Sequence, residues 1–585
     1  MSDDGSGLRL VRPARPVLVD DRLSPPPPVP PLAPPGSDHL LTVAIEDYFQ
    51  LAAFNRVIQQ GHWARFERRV EHGVRNTLDL LAHHQVRATF FVLGWVADQF
   101  PELVREVCDQ GHEIASKGYF HRPIRWLTRG EFSEDLARAD EAIRGATGRP
   151  VLGYRMADSW LGSSDHWILN LLAERGYRYD SSVAPLGISG RSDPVHPHRC
   201  ATEHGELWEF PISSVRWLGI PVPIGGGNYM RQLPHWLVSR AIDRRATASP
   251  PLVLYFHTWE LDPSLPRISG APWYQRVRTY RNLDRMAARL SHYLARHRFG
   301  SIADHLGATL PSVRLVGRPA SETSGRGAGP GLPTRGATPI TIVVPCYNEE
   351  VVLPFLANTL RGVTERLHPE YECRLLFVDD GSTDGTWAGL EQTFGGWTGA
   401  TLVRHDRNRG LAAGIRTGLE RATTDTVCTI DCDCSYDPAL LIRMLPMLGP
   451  GIDLVTASPY HPQGQVRNVP PWRLALSRGA SLIYQRILGS PVSTYTSCVR
   501  VYRRSAVLAL PHRYHGFLGV AETMGRLAIG GRGIAECPAT LEARLLGRSK
   551  MKVIRTIGGH LRLLSELAIL RVWHRLGPRP RAVRQ

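Results

Sequence analysis

The sequence predicts two α/β domains in tandem, and three observations carry that reading. The chain has 585 residues, more than a single hydrophobic core normally spans. Residues 310–337 are rich in Gly, Pro, Ser and Thr and have the composition of a linker. On both sides of this stretch, short apolar runs alternate with segments of helical periodicity, the rhythm of parallel strands joined by helices, closed or open.

In chain order, residues 1–37 are Pro-rich (Pro25 to Pro28, then Pro30, Pro31, Pro34 and Pro35) and are expected to stay extended and disordered. The first domain is placed at 38–309. Leu40 to Ile45 reads as a strand, Val74 to His83 as a helix, Ala88 to Leu93 as a strand and Leu103 to Gln110 as a helix, with a new strand from Glu113. The second domain is placed at 338–550. Ile340 to Pro345 reads as a strand, Val351 to Glu365 as a helix, Cys373 to Val378 as a strand, Leu411 to Glu420 as a helix and Asp425 to Ile430 as a strand. In the tail, 551–585, helical spacing sets Val553, Ile557, Leu561, Leu564, Leu567, Leu570 and Trp573 against Arg555, Arg562, Arg571 and Arg575. Core packing and a basic amphipathic helix on a membrane both satisfy that pattern.

Lys and Arg exceed Asp and Glu by 16, and only Lys117, Lys550 and Lys552 are lysines. Arginine-rich codon usage accounts for this blandly; attraction to phosphate, on nucleotides or at an anionic membrane surface, accounts for it functionally. Without Arg–aromatic interleaving or a nucleic-acid motif, no nucleic-acid partner is expected. Nine cysteines without a Cys-x-x-Cys pair suit a reducing cytoplasm, and the Cys428, Cys432, Cys434 cluster lacks the His partners of a zinc site. No signal peptide or spanning helix is expected, so the protein is placed in the cytoplasm, peripheral at the inner membrane face.

The densest chemistry is in the second domain. Asp431-Cys432-Asp433 ends an apolar run, where two carboxylates at i and i+2 can hold one divalent cation and, through it, a diphosphate. Pro345-Cys346-Tyr347-Asn348-Glu349-Glu350 and Asp379-Asp380-Gly381-Ser382-Thr383-Asp384-Gly385 each leave a strand and enter a helix, where open α/β sheets bind ligands. With Asn408-Arg409-Gly410-Leu411, these motifs resemble the inverting family 2 glycosyltransferases of GT-A fold. The resemblance implies that Pro345, Tyr347, Glu349, Asp380 and Asp431 bind the nucleotide-sugar donor. It also implies that Asp431 and Asp433 hold Mg²⁺ or Mn²⁺, with Asp433 catalytic. Phe517 to Glu522 and Arg544-x-x-Gly547-x-Ser549-Lys550 resemble the polyprenyl-phosphate branch of that family, the dolichyl-phosphate mannose synthase type. From this likeness Arg500, Arg544 and Lys550 are expected around an acceptor phosphate, and Glu522 is a catalytic candidate on the acceptor side. Thr494 and Val499 depart from the family pattern, as do Cys434 and Ser435 after the carboxylate pair.

Residues 39–306 resemble the NodB-type polysaccharide deacetylases, which fold as distorted (β/α) barrels. The resemblance lies in Glu46-Asp47-Tyr48-Phe49, Arg87-Ala88-Thr89-Phe90-Phe91, Gly111-His112-Glu113-Ile114-Ala115-Ser116, Gly153-Tyr154-Arg155, Asp180-Ser181-Ser182 and His257-x-Trp259-Glu260. The family chemistry needs an Asp base and a metal triad. Here Ala44 stands at the base position and Lys117 at the first metal histidine, while Glu46, His121, Arg155 and His257 remain. The Lys117 ammonium is expected to replace the cation beside Glu46, so no zinc is expected; the alternative has Asp47 take over as base. The chain is thus read as a metal-dependent glycosyltransferase acting on a polyprenyl phosphate or related acceptor, with a degenerate deacetylase-like domain. The rival is a bifunctional transferase and N-deacetylase, or a transferase with a soluble acceptor.

Overall fold

The computed structural model describes residues 39–156, 166–183, 196–217, 220–248, 251–309, 336–547 and 553–576; the expected N-terminal tail, nearly all of the expected linker, and Lys550 lie outside these. His39–Ile45 is buried along its whole length, as a strand covered on both faces must be. It pairs in parallel with Thr89–Val92 on one side and Leu252–His257 on the other. The sheet continues through Glu113–Ser116, Gly153–Tyr154 and Tyr179–Asp180 to Gly205–Glu209, with His198–Thr202 antiparallel at its edge. Irregular backbone joins the two ends: Phe210 N donates to Asp180 O, Ser213 N to Val253 O and Tyr255 N to Gly225 O. The result is a distorted (β/α) barrel.

Side chains alternate across a strand. Leu41, Val43 and Ile45 therefore face the surrounding helices, in one cluster with Val74, Leu78, Val104 and Leu290. Leu40 faces the interior with Phe91, Ala115 and Val253. The same period carries Thr42, Ala44 and Glu46 along the interior face to the carboxyl end of the strand.

The second sheet runs Ala400–Arg404, Tyr371–Asp379, Thr338–Cys346, Thr426–Thr429, Arg500–Arg503, Leu454–Ser458, Ile534–Pro538, with Arg500–Arg503 antiparallel to both neighbours. Successive strands first extend away from Thr338–Cys346 on one side, then the chain returns to its other side at Thr426–Thr429. This reversal opens a crevice at the carboxyl ends of those two strands. Helix Leu353–Leu367 covers one face and Leu411–Arg421 the other.

Helix Val553–Leu576 buries Leu563, Leu564 and Leu567 beside the helices Pro471–Leu488 and Phe517–Ile529. The expected apolar stripe is divided: Leu564 and Leu567 point inward, whereas Ile557, Leu561, Leu570 and Trp573 are exposed, because neighbours cover only one side of the helix. Among the described residues, no helix is long and apolar enough to cross a membrane.

The two domains share a buried apolar cluster, in which Phe49, Trp63, Phe66 and Ile268 of the barrel meet Val352, Phe355 and Leu546. Phe66 and Phe355 pack edge to face at 5.0 Å. Ser269 N donates to Leu545 O at 2.7 Å, Asn358 Nδ2 to Arg65 O at 3.2 Å, and Arg65 pairs with Asp437 at 2.8 Å.

Candidate active site

The loops after Thr338–Cys346 and Tyr371–Asp379 are stitched together. Ser382 Oγ accepts from Asn348 N (2.8 Å), Asn348 Oδ1 from Thr383 N (2.7 Å), and Glu350 Oε2 from Gly385 N (3.0 Å). Gly381 has φ +68° and lies so close to the Arg407 backbone that a Cβ would stand 2.3 Å from it. Only glycine fits both constraints. An open groove follows, lined by Tyr347, Gly381, Ser382, Thr383 and the segment Arg404 to Asn408.

The expected donor residues divide in this frame. Tyr347 lines the groove. Asp380 lies beneath it, accepting from Arg409 N and Gly410 N at 2.8 Å each, with His405 Nδ1 at 2.7 Å. Pro345 is buried in the strand end. Glu349 turns toward Arg544, whose Nη1 donates to Oε1 at 2.9 Å and Oε2 at 3.1 Å. His405 and Arg404 of the groove escaped sequence reasoning, although the neighbouring Asn408-Arg409-Gly410 motif pointed to this loop.

Asp431 and Asp433 stand at the crevice. Asp433 Oδ1 accepts from Ser435 N (2.9 Å) and Oγ (2.7 Å), a local turn that fixes the carboxylate. Its Oδ2 accepts from Arg544 Nε at 2.6 Å. Burial, reinforced by the neighbouring Asp433 charge, pushes Asp431 up to about 7. Asp431 and Asp433 offer hard carboxylate oxygens two residues apart, the ligand type a dication takes, and Arg544 holds Asp433 Oδ2 in its place. Cys346 and Cys432 pack behind the pair with sulfurs 3.6 Å apart, free thiols filling space.

Two expectations for the acceptor side are corrected. Arg500 is fully buried in the antiparallel strand, where its guanidinium donates to the carbonyls of Val520 (2.8 Å) and Tyr495 (2.9 Å); it is a structural cation with no surface to offer a phosphate. Glu522 is fully buried too. It accepts from Arg513 N (3.1 Å), Tyr514 N (3.0 Å) and Arg526 Nε (2.8 Å), so it anchors the loop before its helix instead of facing a ligand. Arg544 is brought to the crevice; Lys550 lies outside the described residues.

In the barrel, a cavity of about 190 Å³ is lined by Ala44, Glu46, Lys117, His121, Arg155 and His257 among others. Glu46 is buried and ringed by a lysine and two histidines: Lys117 Nζ contacts Oε2, His121 Nδ1 lies 3.2 Å from Oε2, and His257 Nδ1 lies 2.6 Å from Oε1. Burial alone would raise the Glu46 pKa, but Lys117, then His257 and His121, hold it well below the usual carboxylate range. Arg155 donates to Ser181 O (2.9 Å) and Thr42 Oγ1 (2.8 Å). Burial lowers its pKa to about 10.

This arrangement does not fit the deacetylase metal, since an ammonium already holds the oxygen that a cation would take. Asp47 does not line the cavity. It accepts from Tyr48 N, Arg69 N and Val70 N and so fixes a turn, which corrects its candidacy as replacement base.

Three family models match the chain: polysaccharide deacetylase over residues 62–179, a domain of unknown function (DUF3473) over 181–307, and glycosyl transferase family 2 over 341–510. The polyprenol monophosphomannose synthase of Mycolicibacterium smegmatis is 30% identical over 240 residues, covering 40% of this chain and 88% of that protein. The undecaprenyl-phosphate 4-deoxy-4-formamido-L-arabinose transferase of Sodalis glossinidius is 29% identical over 225 residues, which are 37% of this chain and 64% of that one. Among solved structures, glucosyl-3-phosphoglycerate synthase from Mycobacterium tuberculosis aligns with 40% of this chain and 80% of its own, at 21% identity and a TM-score of 0.30.

Proposed function

Since this chain belongs to glycosyl transferase family 2 through its C-terminal domain, we propose that it moves a sugar from a nucleotide sugar to a polyprenyl phosphate, with inversion at the anomeric carbon. The observation that carries the proposal is that Arg544 bridges Asp433, after Thr426–Thr429, and Glu349, after Thr338–Cys346, so the carboxylate pair lies where the loops of these two neighbouring strands meet. The base of the donor would lie in the groove lined by Tyr347, over the Asp380–His405 pair. Asp431 and Asp433 would hold Mg²⁺ or Mn²⁺, which when bound supplies positive charge to the departing diphosphate. A phosphate monoester is already an anionic nucleophile, so the acceptor needs no strong general base. The engagement of Glu522 elsewhere accords with this. Arg544, a planar cation at the edge of the crevice, suits a phosphate oxygen bidentately once it releases Asp433.

A lipid-borne acceptor calls for contact with a membrane. The exposed Ile557, Leu561, Ile569, Val572 and Trp573 of one helix, and Trp472, Leu482 and Ile483 of the helix it packs against, offer apolar side chains of the required kind. Arg562, exposed on the first helix, suits anionic lipids at the inner face of the membrane.

The barrel is read as a domain without deacetylase activity. Ala44 cannot take a proton from water, and Lys117 occupies the cation's place at Glu46. Purified protein should then carry no stoichiometric zinc and release no acetate from N-acetylated glycans. Metal content and acetate release with turnover would favour the bifunctional alternative. The transfer reaction itself is tested by offering labelled nucleotide sugars with Mg²⁺ or Mn²⁺, with and without polyprenyl phosphate. Labelling that requires the lipid is expected; consumption of donor without it would indicate a soluble acceptor.

A further inference from the structure

A second cavity, of about 390 Å³, lies where the two domains meet, with Asp433 in its wall. It is built on the opposite flank of the crevice from the Tyr347 groove. The groove is formed by loops from the Tyr371–Asp379 and Ala400–Arg404 side of the sheet. The cavity is formed by the loop after Thr426–Thr429 and by residues 538–545. A donor with its base in the groove and its diphosphate at Asp431 and Asp433 would direct its sugar into this cavity.

One wall belongs to the barrel: Gln59, His62 and Arg65. This segment is held in place from the transferase side. Gln59 Nε2 donates to Glu542 Oε1 at 2.8 Å, Arg65 pairs with Asp437 at 2.8 Å, and Asn468 Nδ2 donates to Arg56 O at 3.2 Å. Gln463 and Gln465 of the transferase domain line the same cavity. Burial, with Arg65 nearby, keeps the His62 pKa below its ordinary value. At neutral pH that imidazole therefore presents one donor and one acceptor rather than a charge. Amides, a neutral imidazole and the charged Arg443, Arg467, Asp437 and Glu542 that share the lining suit the hydroxyls of a sugar ring, and suit poorly the apolar chain of a lipid.

We infer that the barrel domain supplies one wall of the transferase's sugar site, with Gln59 and His62, together with Gln463 of the transferase domain, binding hydroxyls of the hexose carried by the donor. The inference rests on the donor reading above and adds to it a specificity element from a domain outside the glycosyltransferase fold. It also gives the barrel a function that needs no chemistry at Glu46.

The test uses the full chain and its Gln59→Ala, His62→Ala and Gln463→Ala variants, assayed with nucleotide sugars epimeric at one carbon. Each variant should lower kcat/KM for the preferred donor about 3- to 10-fold, the worth of one hydrogen bond. The preference between epimers should narrow, while inhibition by the free nucleoside diphosphate stays as in the parent. His62→Gln should recover part of the loss, and it replaces His62→Ala should that variant not fold. Parent-like kcat/KM and epimer preference in the barrel variants would overturn the inference alone. An equal loss of nucleoside diphosphate affinity would also overturn it, since a distorted crevice would then be the cause. A parent that consumes no nucleotide sugar would remove the transferase reading and this inference with it.

Discussion

Each domain sets a protein cation against a carboxylate at the position where its chemistry is expected. Lys117 lies on Glu46 in the barrel, and Arg544 lies on Asp433 in the crevice. The first pair is buried on both sides, so removing one partner strands a charge, at a typical cost of about 3–5 kcal/mol. Lys117→Met should therefore lose about that much in denaturant unfolding at pH 7; a loss below about 1 kcal/mol would contradict the assignment. The pH dependence follows in sign. Glu46 has a folded pKa below its ordinary 4.5, so its contribution is complete above that value and is lost as pH falls below it. Glu46→Gln should flatten the acid side of the stability profile below about pH 4.5. In the crevice, Arg544→Met should lower transfer by about 100-fold in kcat/KM, the scale of one electrostatic donor to a developing charge, with the fold intact by circular dichroism. Arg500 and Glu522 mark the limit of legibility at this scale. Their residue types suit phosphate and proton chemistry, but Arg500 meets the carbonyls of Val520 and Tyr495, and Glu522 meets Arg513 N, Tyr514 N and the Arg526 guanidinium; a sequence does not show whether a charged side chain meets a ligand or the protein itself.

At the scale of elements, periodicity located most strands and helices to within a few residues, and departures have local causes. The helix expected from Val351 begins at Leu353, because Glu350–Val352 forms a 3₁₀ turn and Pro354 takes the helix's first turn, where its missing N–H costs nothing. The helix Val553–Leu576 was visible as a period but not as a partition, since burial depends on where the two neighbouring helices lie. That partition is testable. Leu567 is buried against Gly525, and Leu567→Ala should cost about 2–5 kcal/mol of stability. Leu561→Ser with Trp573→Ser should leave stability nearly unchanged while weakening binding to anionic vesicles. Vesicle sedimentation at low and high salt would check this, and undiminished binding by the double variant would remove that face from membrane contact.

At the scale of the whole molecule, two α/β domains were legible, but their joining was not. Arg65 and Asp437, or Phe66 and Phe355, are hundreds of residues apart and carry no mark of one another. The apolar cluster they border makes the barrel a support for the transferase: the segment after Arg544 is held at Leu545 by Ser269. Phe355→Ala should therefore lower the stability of the joined domains by about 3–5 kcal/mol. A single thermal transition in the parent should separate into two in the variant, as seen by calorimetry. The deacetylase outline was equally legible, and so were its substitutions at Ala44 and Lys117; the composite wall of Gln59 and His62 required the assembled fold.

The measurement that bears most directly on the account is sugar transfer by the full-length chain beside its Asp433→Asn variant, with labelled nucleotide sugars, Mg²⁺ or Mn²⁺, and polyprenyl phosphate. The account predicts label in the lipid fraction for the parent and a loss of at least about 100-fold in the variant, with both proteins folded. Lipid labelling by the variant at the parent's rate, or no consumption of any nucleotide sugar by the parent, would contradict it.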